Sequence, residues 1–272
     1  MHPPNRIICL TEETVEVLYL LGEQDRIVGI SGYVVRPPQA RREKPRVSAF
    51  TSADTKKILD LTPDLVLTFS DIQADIVADL IRHGLHVHAF NQRTVSGILD
   101  MIQLLGAMVD AEAKANALVR NLQKNLDEIR MQTVALSKRP KIFFEEWHDP
   151  LISGIGWVSE LIEIAGGLDI FPKRAKQPGA KDRIVSVSDV VSAAPDIIIG
   201  SWCGRRFQPS LVRERPGFLD IPAVRNSQLH EIKSPIILQP GPAALTDGLS
   251  AIRKIIREWA ALDLRSPLPP PK

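Results

Sequence analysis

Cysteine is scarce in this chain: Cys9 and Cys203 are the only two, and they lie far apart. That is too few for a disulfide framework or a cysteine zinc site. Aromatic residues make up 5% of the composition, so any grouping of them is informative. No charge sign dominates, since 34 basic residues face 32 acidic ones for a net of +2. A nucleic-acid surface or a solvating acidic tail would require an imbalance. No run approaches the ~18 consecutive apolar residues of a membrane span. The start, Met1-His2-Pro3-Pro4-Asn5-Arg6, passes directly into an apolar run. It lacks the basic, apolar and small-residue regions of a secretory signal, which leads to the expectation of a cytoplasmic chain or a trimmed start. Dinucleotide and phosphate glycine motifs are absent, as are His-Glu-x-x-His and Gly-x-Ser-x-Gly, and Gly154-Ile-Gly156 is too short to count. These gaps weigh against the common enzyme classes.

What is present is alternation. Arg6–Leu10 reads as a strand, Thr11–Leu21 as a helix stopped by Gly22, and Arg26–Ser31 as a second strand. A loop follows over Ser31–Pro45. Thr55–Leu61 and Ile72–His83 read as helices, with strands at Asp64–Phe69 and Leu85–Phe90. Strands separated by helices argue for a parallel sheet covered on both faces. From Asp110 to Leu136 there is no Gly or Pro. Ala111, Ala115, Leu118, Leu122, Leu126, Ile129, Thr133 and Leu136 recur at close to the helical repeat. Such a helix would reach about 38 Å. It reads either as an amphipathic surface helix or as a rigid strut joining two lobes. The order of elements favours the strut, because alternation resumes afterwards: a strand at Lys141–Phe144, helices at Trp157–Ala165 and Val187–Ala194, strands at Asp196–Gly200 and Ser227–Ile232, and a closing helix at Thr246–Ala261.

The two halves echo each other. Ile58–Ser70 and Val190–Trp202 both give a short helix, Pro-Asp, an apolar strand, then an aromatic beside serine at the strand's carboxyl end. In open α/β sheets that end is where ligands bind. Phe69, Trp147 and Trp202 each sit at such an end, while Tyr33, Phe50, Trp157 and Phe207 occupy loop positions. Each reads alone as core packing; their repetition at equivalent places reads as a cleft for a large, partly apolar ligand. Glu145-Glu146-Trp147-His148-Asp149 reads as a loop after a strand, either lining a ligand cleft or forming a metal or acid–base site. His83, His86 and His88 read either as a metal group or as a helix end followed by an edge strand.

The ordered set Ile27-Val-Gly-Ile-Ser-Gly-Tyr33, Pro37-Pro38-Gln39-Ala40, Val47-Ser48 and Ile58–Phe69 resembles the first lobe of the substrate-binding proteins of ABC importers for cobalamin, haem and siderophores. Pro150–Gly154, Glu160–Gly167, Pro195–Ile199 and Pro222–Val224 fit the second lobe, so that the resemblance spans residues 5–262. It implies two α/β lobes with mostly parallel sheets, joined by one long helix, with a ligand cleft between the lobes. The corresponding divisions are an amino-terminal lobe over 1–106, a linking helix over 107–138, a carboxyl-terminal lobe over 139–265 and a disordered tail over 266–272.

By the same resemblance, Tyr33 matches a cleft-side tyrosine, and Phe50 and Phe69 fall where cobalamin binders have pocket tryptophans. Arg36 replaces a tyrosine, Leu151 a phenylalanine and Gln239 an arginine. Trp147 and Trp202 have no direct counterpart yet end strands. The implied function is capture of a corrinoid such as cobalamin. Tyr33, Phe50, Phe69, Trp147 and Trp202 would meet its ring system, Leu151 would line the pocket, and Arg36, Glu146 and Gln239 would meet its amide or phosphate periphery. No catalysis, resident metal or cofactor is implied, with cobalamin entering only as ligand. The partners implied are that solute and an ABC permease, not nucleic acid, for a monomer in the periplasm. The positions of the family's two docking carboxylates hold Lys56 and Ser188, with Asp189 adjacent. Alternatives are an iron-siderophore or haem binder of the same fold, to which Arg36, Arg41 and Arg42 would suit an anionic chelate. A cytoplasmic corrinoid carrier or sensor is another, as is a metal-dependent enzyme using Glu145–Asp149, the histidines or Cys203.

Overall fold

The computed structural model describes residues 2–133 and 138–263. Leu136, part of the linking-helix division and the whole 266–272 tail therefore lie outside the described residues. The first half of the chain runs β1 (Ile7–Cys9), α1 (Glu12–Leu21), β2 (Ile27–Ser31), α2 (Ala40–Glu43), β3 (Arg46–Ser48), α3 (Thr55–Asp60), β4 (Leu65–Phe69), α4 (Ala74–Arg82), β5 (Val87–Phe90), α5 (Val95–Met108) and α6 (Glu112–Thr133). The second half runs β6 (Lys141–His148), β7 (Leu151–Ser153), α7 (Gly156–Ile164), β8 (Leu168–Asp169), α8 (Pro172–Ala175), α9 (Val187–Ala193), β9 (Ile197–Gly200), α10 (Pro209–Arg213), α11 (Pro222–Arg225), β10 (Leu229–Glu231), α12 (Ser234–Ile237) and α13 (Leu249–Asp263).

These elements form two compact units. The first holds the described residues through Gln92, with Ser96–Leu122 and Gln239–Pro242; the second holds Arg93–Val95, Gln123–Leu238 and the described residues from Ala243. In the first unit the sheet order is β3-β2-β1-β4-β5, and every pairing is parallel. Ile8, Leu10, Val47, Ile58, Val66 and Leu80 form one buried cluster there. In the second unit the order is β10-β9-β6-β7, with β8 also on β6. Only β6–β7 is antiparallel. The apolar runs Leu-Val-Leu-Thr-Phe of β4 and Ile-Ile-Ile-Gly of β9 are buried on both faces, as strands under helices on two sides must be.

Several sequence expectations change. β6 does not stop at Phe144 but continues through Glu145, Glu146, Trp147 and His148, and turns back through β7. The acidic run is therefore paired strand rather than loop. The 31–45 stretch contains the short helix α2, and β3, β7 and β8 are strands of two or three residues, too short to leave a periodic signal. α5 was not anticipated. The closing helix is preceded by a π-turn over Ala244–Gly248. Of the positions expected to face inward, Ala115, Leu122, Leu126 and Ile129 of α6 are buried, as is Ala111 just before it, whereas Leu118 and Thr133 are half-buried.

α5 and α6 approach closely because Gly106 carries no side chain. A Cβ built there would sit 2.2 Å from the Ala115 Cβ. Gly106→Ala should therefore destabilise the protein by about 1–3 kcal/mol through overpacking, although alanine is the better helix former by about 1 kcal/mol. Urea unfolding checks this; a variant as stable as its parent would show that the helices separate at no cost.

Candidate functional site

All strands of a parallel sheet point the same way, so their carboxyl ends share one edge, and the loops and helix starts that follow gather there. In the first unit this edge is held by Gln73, which is fully buried. Its Oε1 accepts from the Phe69 N–H at 3.0 Å, and its Nε2 donates to the Leu10 and Phe50 carbonyls at 3.2 and 2.9 Å. One amide thus ties the ends of β1 and β4 to the Phe50 loop. Phe69 is buried and Phe50 half-buried, while Tyr33, beyond β2, is 52% exposed. Arg36 lies half-buried on the same loop and pairs through Nε with Glu16 at 3.1 Å.

β1 runs into α1 at this edge, and the first helical residues are Glu12 and Glu13. Both side chains are buried. The Thr11 hydroxyl donates to Glu13 Oε1 at 2.7 Å. Burial, reinforced by the carboxylates of Glu13 and Glu16, raises the Glu12 pKa to about 8. Burial likewise raises that of Glu13 to about 7, against the opposing pull of the Thr11 hydrogen bond. Gln239 is half-buried in the Gln239–Pro242 segment of this unit. Its carbonyl accepts from the Gly241 N–H at 2.8 Å.

In the second unit the corresponding edge carries Glu145 to His148, the β6–β7 turn and the residues after β9. Glu145 is fully buried, and Arg215 grips it with both guanidinium nitrogens at 2.6 and 2.8 Å. The Trp202 Nε1–H donates to the same carboxylate at 2.9 Å. Glu146 is likewise gripped by Arg183 at 2.6 and 2.9 Å, and Arg183 also donates to the Ser153 carbonyl at 2.6 Å. The two carboxylates are therefore committed to ion pairs rather than poised for proton transfer. Among the described residues no group of three or more His, Cys, Asp or Glu side chains is placed to hold a metal ion.

Aromatic rings fill the rest of this edge. Trp147 contacts His148 with centroids 4.8 Å apart, His148 contacts Trp202 at 4.5 Å, and Trp202 contacts Phe207 at 5.1 Å. Phe207 lies against Gly200, where an added Cβ would come within 1.9 Å of its ring. An Arg205 Nη1–H donates to His148 Nε2 at 2.7 Å. Burial, then the Arg205 charge, lowers the His148 pKa, so this ring is neutral at physiological pH. Trp202 is 2% exposed and Leu151 is buried in the same core cluster, whereas Trp147 keeps part of its ring at the surface and donates its Nε1–H to the Asp149 carbonyl at 2.8 Å.

The structure thus brings Phe50, Phe69, Tyr33 and Arg36 to the first unit's edge, and Glu146, Trp147, Leu151 and Trp202 to the second's. The histidines do not gather as one group: His83 bonds back to Asp79 of α4, and His88 packs edge-on against Phe90. Sequence reasoning missed Glu12, Glu13 and Gln73. The available signal was two carboxylates directly after the first strand, at the edge where ligands bind. Lys56 lies exposed on α3 and Ser188 on α9, each near an exposed carboxylate, Asp54 and Asp189.

Comparison with known proteins agrees with this architecture. A family model described as periplasmic binding protein matches residues 7–236. The ABC transporter substrate-binding lipoprotein YvrC of Bacillus subtilis is 24% identical over 261 residues, which cover 93% of this chain and 80% of that protein. The vitamin B12-binding protein of Vibrio cholerae is 25% identical over 249 residues, covering 89% of this chain and 86% of that one. A solved structure described as a possible iron-binding (periplasmic solute-binding) protein from Staphylococcus epidermidis aligns with a TM-score of 0.80 at 22% identity, covering 93% of this chain and 99% of the other. Among the described residues no helix is long and apolar enough to cross a membrane.

Two expected outcomes follow from the charges. Removing Arg215 strands a fully buried carboxylate, so Arg215→Met should cost about 3–5 kcal/mol in urea unfolding. The pH dependence comes from the first unit. Glu12 and Glu13 have folded-state pKa values above the ordinary 4.5. The folded chain therefore holds more protons than the unfolded chain above pH 4.5, and stability falls as pH rises through about 7 and about 8. Glu12→Gln and Glu13→Gln should each raise the urea midpoint at pH 9 and leave it nearly unchanged at pH 4. Equal midpoints at both pH values would remove the two carboxyls as its cause.

Proposed function

The chain belongs to the periplasmic binding protein family, and from that premise we propose that its solute is a corrinoid such as cobalamin. Members of this family are solute-binding proteins, not enzymes, and the chain is a substrate-binding protein of the ABC-importer type. The observation that carries the corrinoid reading is the near full-length similarity to the vitamin B12-binding protein of Vibrio cholerae. Aromatic strand ends in each unit support it. In the first unit the exposed ring of Tyr33 and the half-buried ring of Phe50, and in the second unit the half-buried ring of Trp147, are flat apolar surfaces of the kind a macrocycle packs on. Phe69, Leu151 and Trp202 are buried, the latter two in the core cluster against which Trp147 packs, so they support a solute surface rather than forming it. Arg36, Glu146 and Gln239 meet the polar periphery, with Glu146 held in orientation by Arg183.

An iron chelate is the second reading, favoured by the Staphylococcus epidermidis neighbour's description and by the cationic Arg36-to-Arg42 stretch. Delivery would be to an ABC permease, at the outer face of the cytoplasmic membrane. With Lys56 and Ser188 at the docking positions, contact with permease arginines falls to the neighbouring carboxylates Asp54 and Asp189.

Titration of purified protein with cyanocobalamin, haemin and a ferric siderophore, followed by tryptophan fluorescence and calorimetry, separates these readings. Saturable binding of cyanocobalamin at micromolar concentration or below is expected, with a fluorescence change weakened at least tenfold in Trp147→Ala. Saturation by haemin or the siderophore alone overturns the corrinoid assignment.

A further inference from the structure

Arg205 lies exposed at the carboxyl edge of the second sheet, on the loop that follows β9. It is nevertheless held in place. Gly204, with φ of 70°, turns the chain, and the Arg205 N–H closes that turn on the Trp202 carbonyl at 3.2 Å. The guanidinium carbon sits over the Trp202 ring, 5.9 Å from its centre. The Trp202 ring is itself fixed, since its Nε1–H donates to Glu145, which Arg215 grips. From the other side the Arg205 Nη1–H donates to His148 Nε2 at 2.7 Å. A guanidinium can only donate, so Nε2 accepts and the neutral ring carries its proton on Nδ1. That Nδ1 is buried without a hydrogen-bond partner. Burial, then the Arg205 charge, opposes protonation of the ring and keeps Nε2 an acceptor.

A buried donor without an acceptor costs free energy, and native structures keep few of them without a reason. What this arrangement achieves is a fixed cation. Of its five N–H donors Arg205 spends one on His148, and among the described residues the others meet no protein acceptor and no carboxylate. The nearby acids of β6 are engaged elsewhere, Glu145 with Arg215 and Glu146 with Arg183. Arg36 of the first unit, by contrast, is already paired with Glu16. The half-buried Trp147 ring contacts the same histidine, with centroids 4.8 Å apart, so one imidazole separates an apolar ring from an unpaired guanidinium. We propose that Arg205, with His148 as its positioning residue, recognises a phosphate or carboxylate group on the edge of a solute whose flat body packs on Trp147. The proposal rests on the solute-capture reading above and adds a charge requirement to it. An anion gains charge-assisted hydrogen bonds from a side chain whose ordering is already complete. A corrinoid brings such a group in the phosphodiester of its nucleotide loop, and haem brings one in its propionates. The chemistry they share is anionic oxygen beside a macrocycle.

The test uses two ligand pairs that differ in this group. One is dicyanocobinamide phosphate against dicyanocobinamide, which lacks the phosphate. The other is haemin against its dimethyl ester, which lacks the carboxylates. Affinities are measured by calorimetry for the parent chain, Arg205→Gln, His148→Phe and His148→Gln, with folding verified by circular dichroism. The parent should prefer the anionic member of whichever pair it binds by about tenfold or more, the worth of one charge-assisted hydrogen bond. Arg205→Gln should remove most of that preference and leave the neutral member's affinity within about twofold of the parent's. His148→Phe, which keeps a ring but no acceptor, should lower the preference several-fold, and His148→Gln, which returns an acceptor, should restore most of it. Discrimination confined to the haem pair, with neither corrinoid bound, would sustain the role of Arg205 while overturning the corrinoid assignment. Equal affinity within a pair, a preference unchanged in Arg205→Gln, or an equal loss for both members overturns that role even where corrinoid binding stands. Binding of none of the four overturns both.

Discussion

Each sheet is set by one aspartate at its amino-terminal edge. The Asp64 carboxylate accepts the backbone N–H groups of Asn5 and Arg6 at 2.7 and 2.9 Å, while its own N–H donates to the Arg6 carbonyl at 2.9 Å. Asp196 does the same for Lys141, accepting its N–H at 2.8 Å and donating to its carbonyl at 2.8 Å. In both places the aspartate follows a proline, and the residue before that proline, Thr62 or Ala194, is in the left-handed region with φ of 43° or 47°. The helix is ended, the chain is turned, and the incoming strand is locked in register beside its parallel neighbour. A one-residue slip would turn every side chain to the opposite face. Because parallel strands share direction, locking one edge aligns the other. The positions of Phe69 and Trp202 are consequences of that lock.

The two units then treat charge in opposite ways. In the second unit the strand-end carboxylates are neutralised where they stand, Glu145 by Arg215 and Glu146 by Arg183. These pairs contribute geometry more than stability, since desolvating four charges offsets most of their attraction. They fix the β6–β7 hairpin and leave Trp147 and neutral His148 as the chemistry at the surface. In the first unit, Arg36 is engaged with Glu16. Glu12 and Glu13 are left without a cation in contact, and the fold tolerates them by holding their protons.

Much of this architecture was legible because it is local. Gly22 ends α1 in the left-handed conformation with φ of 75° that its sequence position suggests. β4 and β9 announce themselves as apolar runs after Pro-Asp. What failed to show depends on distant partners. Glu145-Glu146-Trp147-His148 has the composition of a solvated loop and becomes strand because Arg183 and Arg215 arrive from much further along the chain. α5 is apolar on most of its faces and contains Gly97 and Gly106, so it lacks the amphipathic signature and the propensity that reveal α6; its glycine is explained only by the approach of Ala115. Glu12 and Glu13 look like an ordinary acidic first turn, favoured by the helix dipole. Their burial, with Glu13 pressed against Gly241, belongs to tertiary structure alone. The candidate ring contacts were readable as residue types but not as surfaces, since nothing local distinguishes half-buried Trp147 from enclosed Trp202.

The scarcity of aromatic residues gains its meaning from this division. Of the aromatic side chains at strand ends, Phe69 and Trp202 are spent on the cores, which leaves Tyr33, Phe50 and Trp147 as accessible ring faces. Trp147 keeps an apolar face because the two carboxylates that precede it on its strand are paired with arginines, Glu145 with Arg215 and Glu146 with Arg183, so that their charge is compensated where the strand carries them.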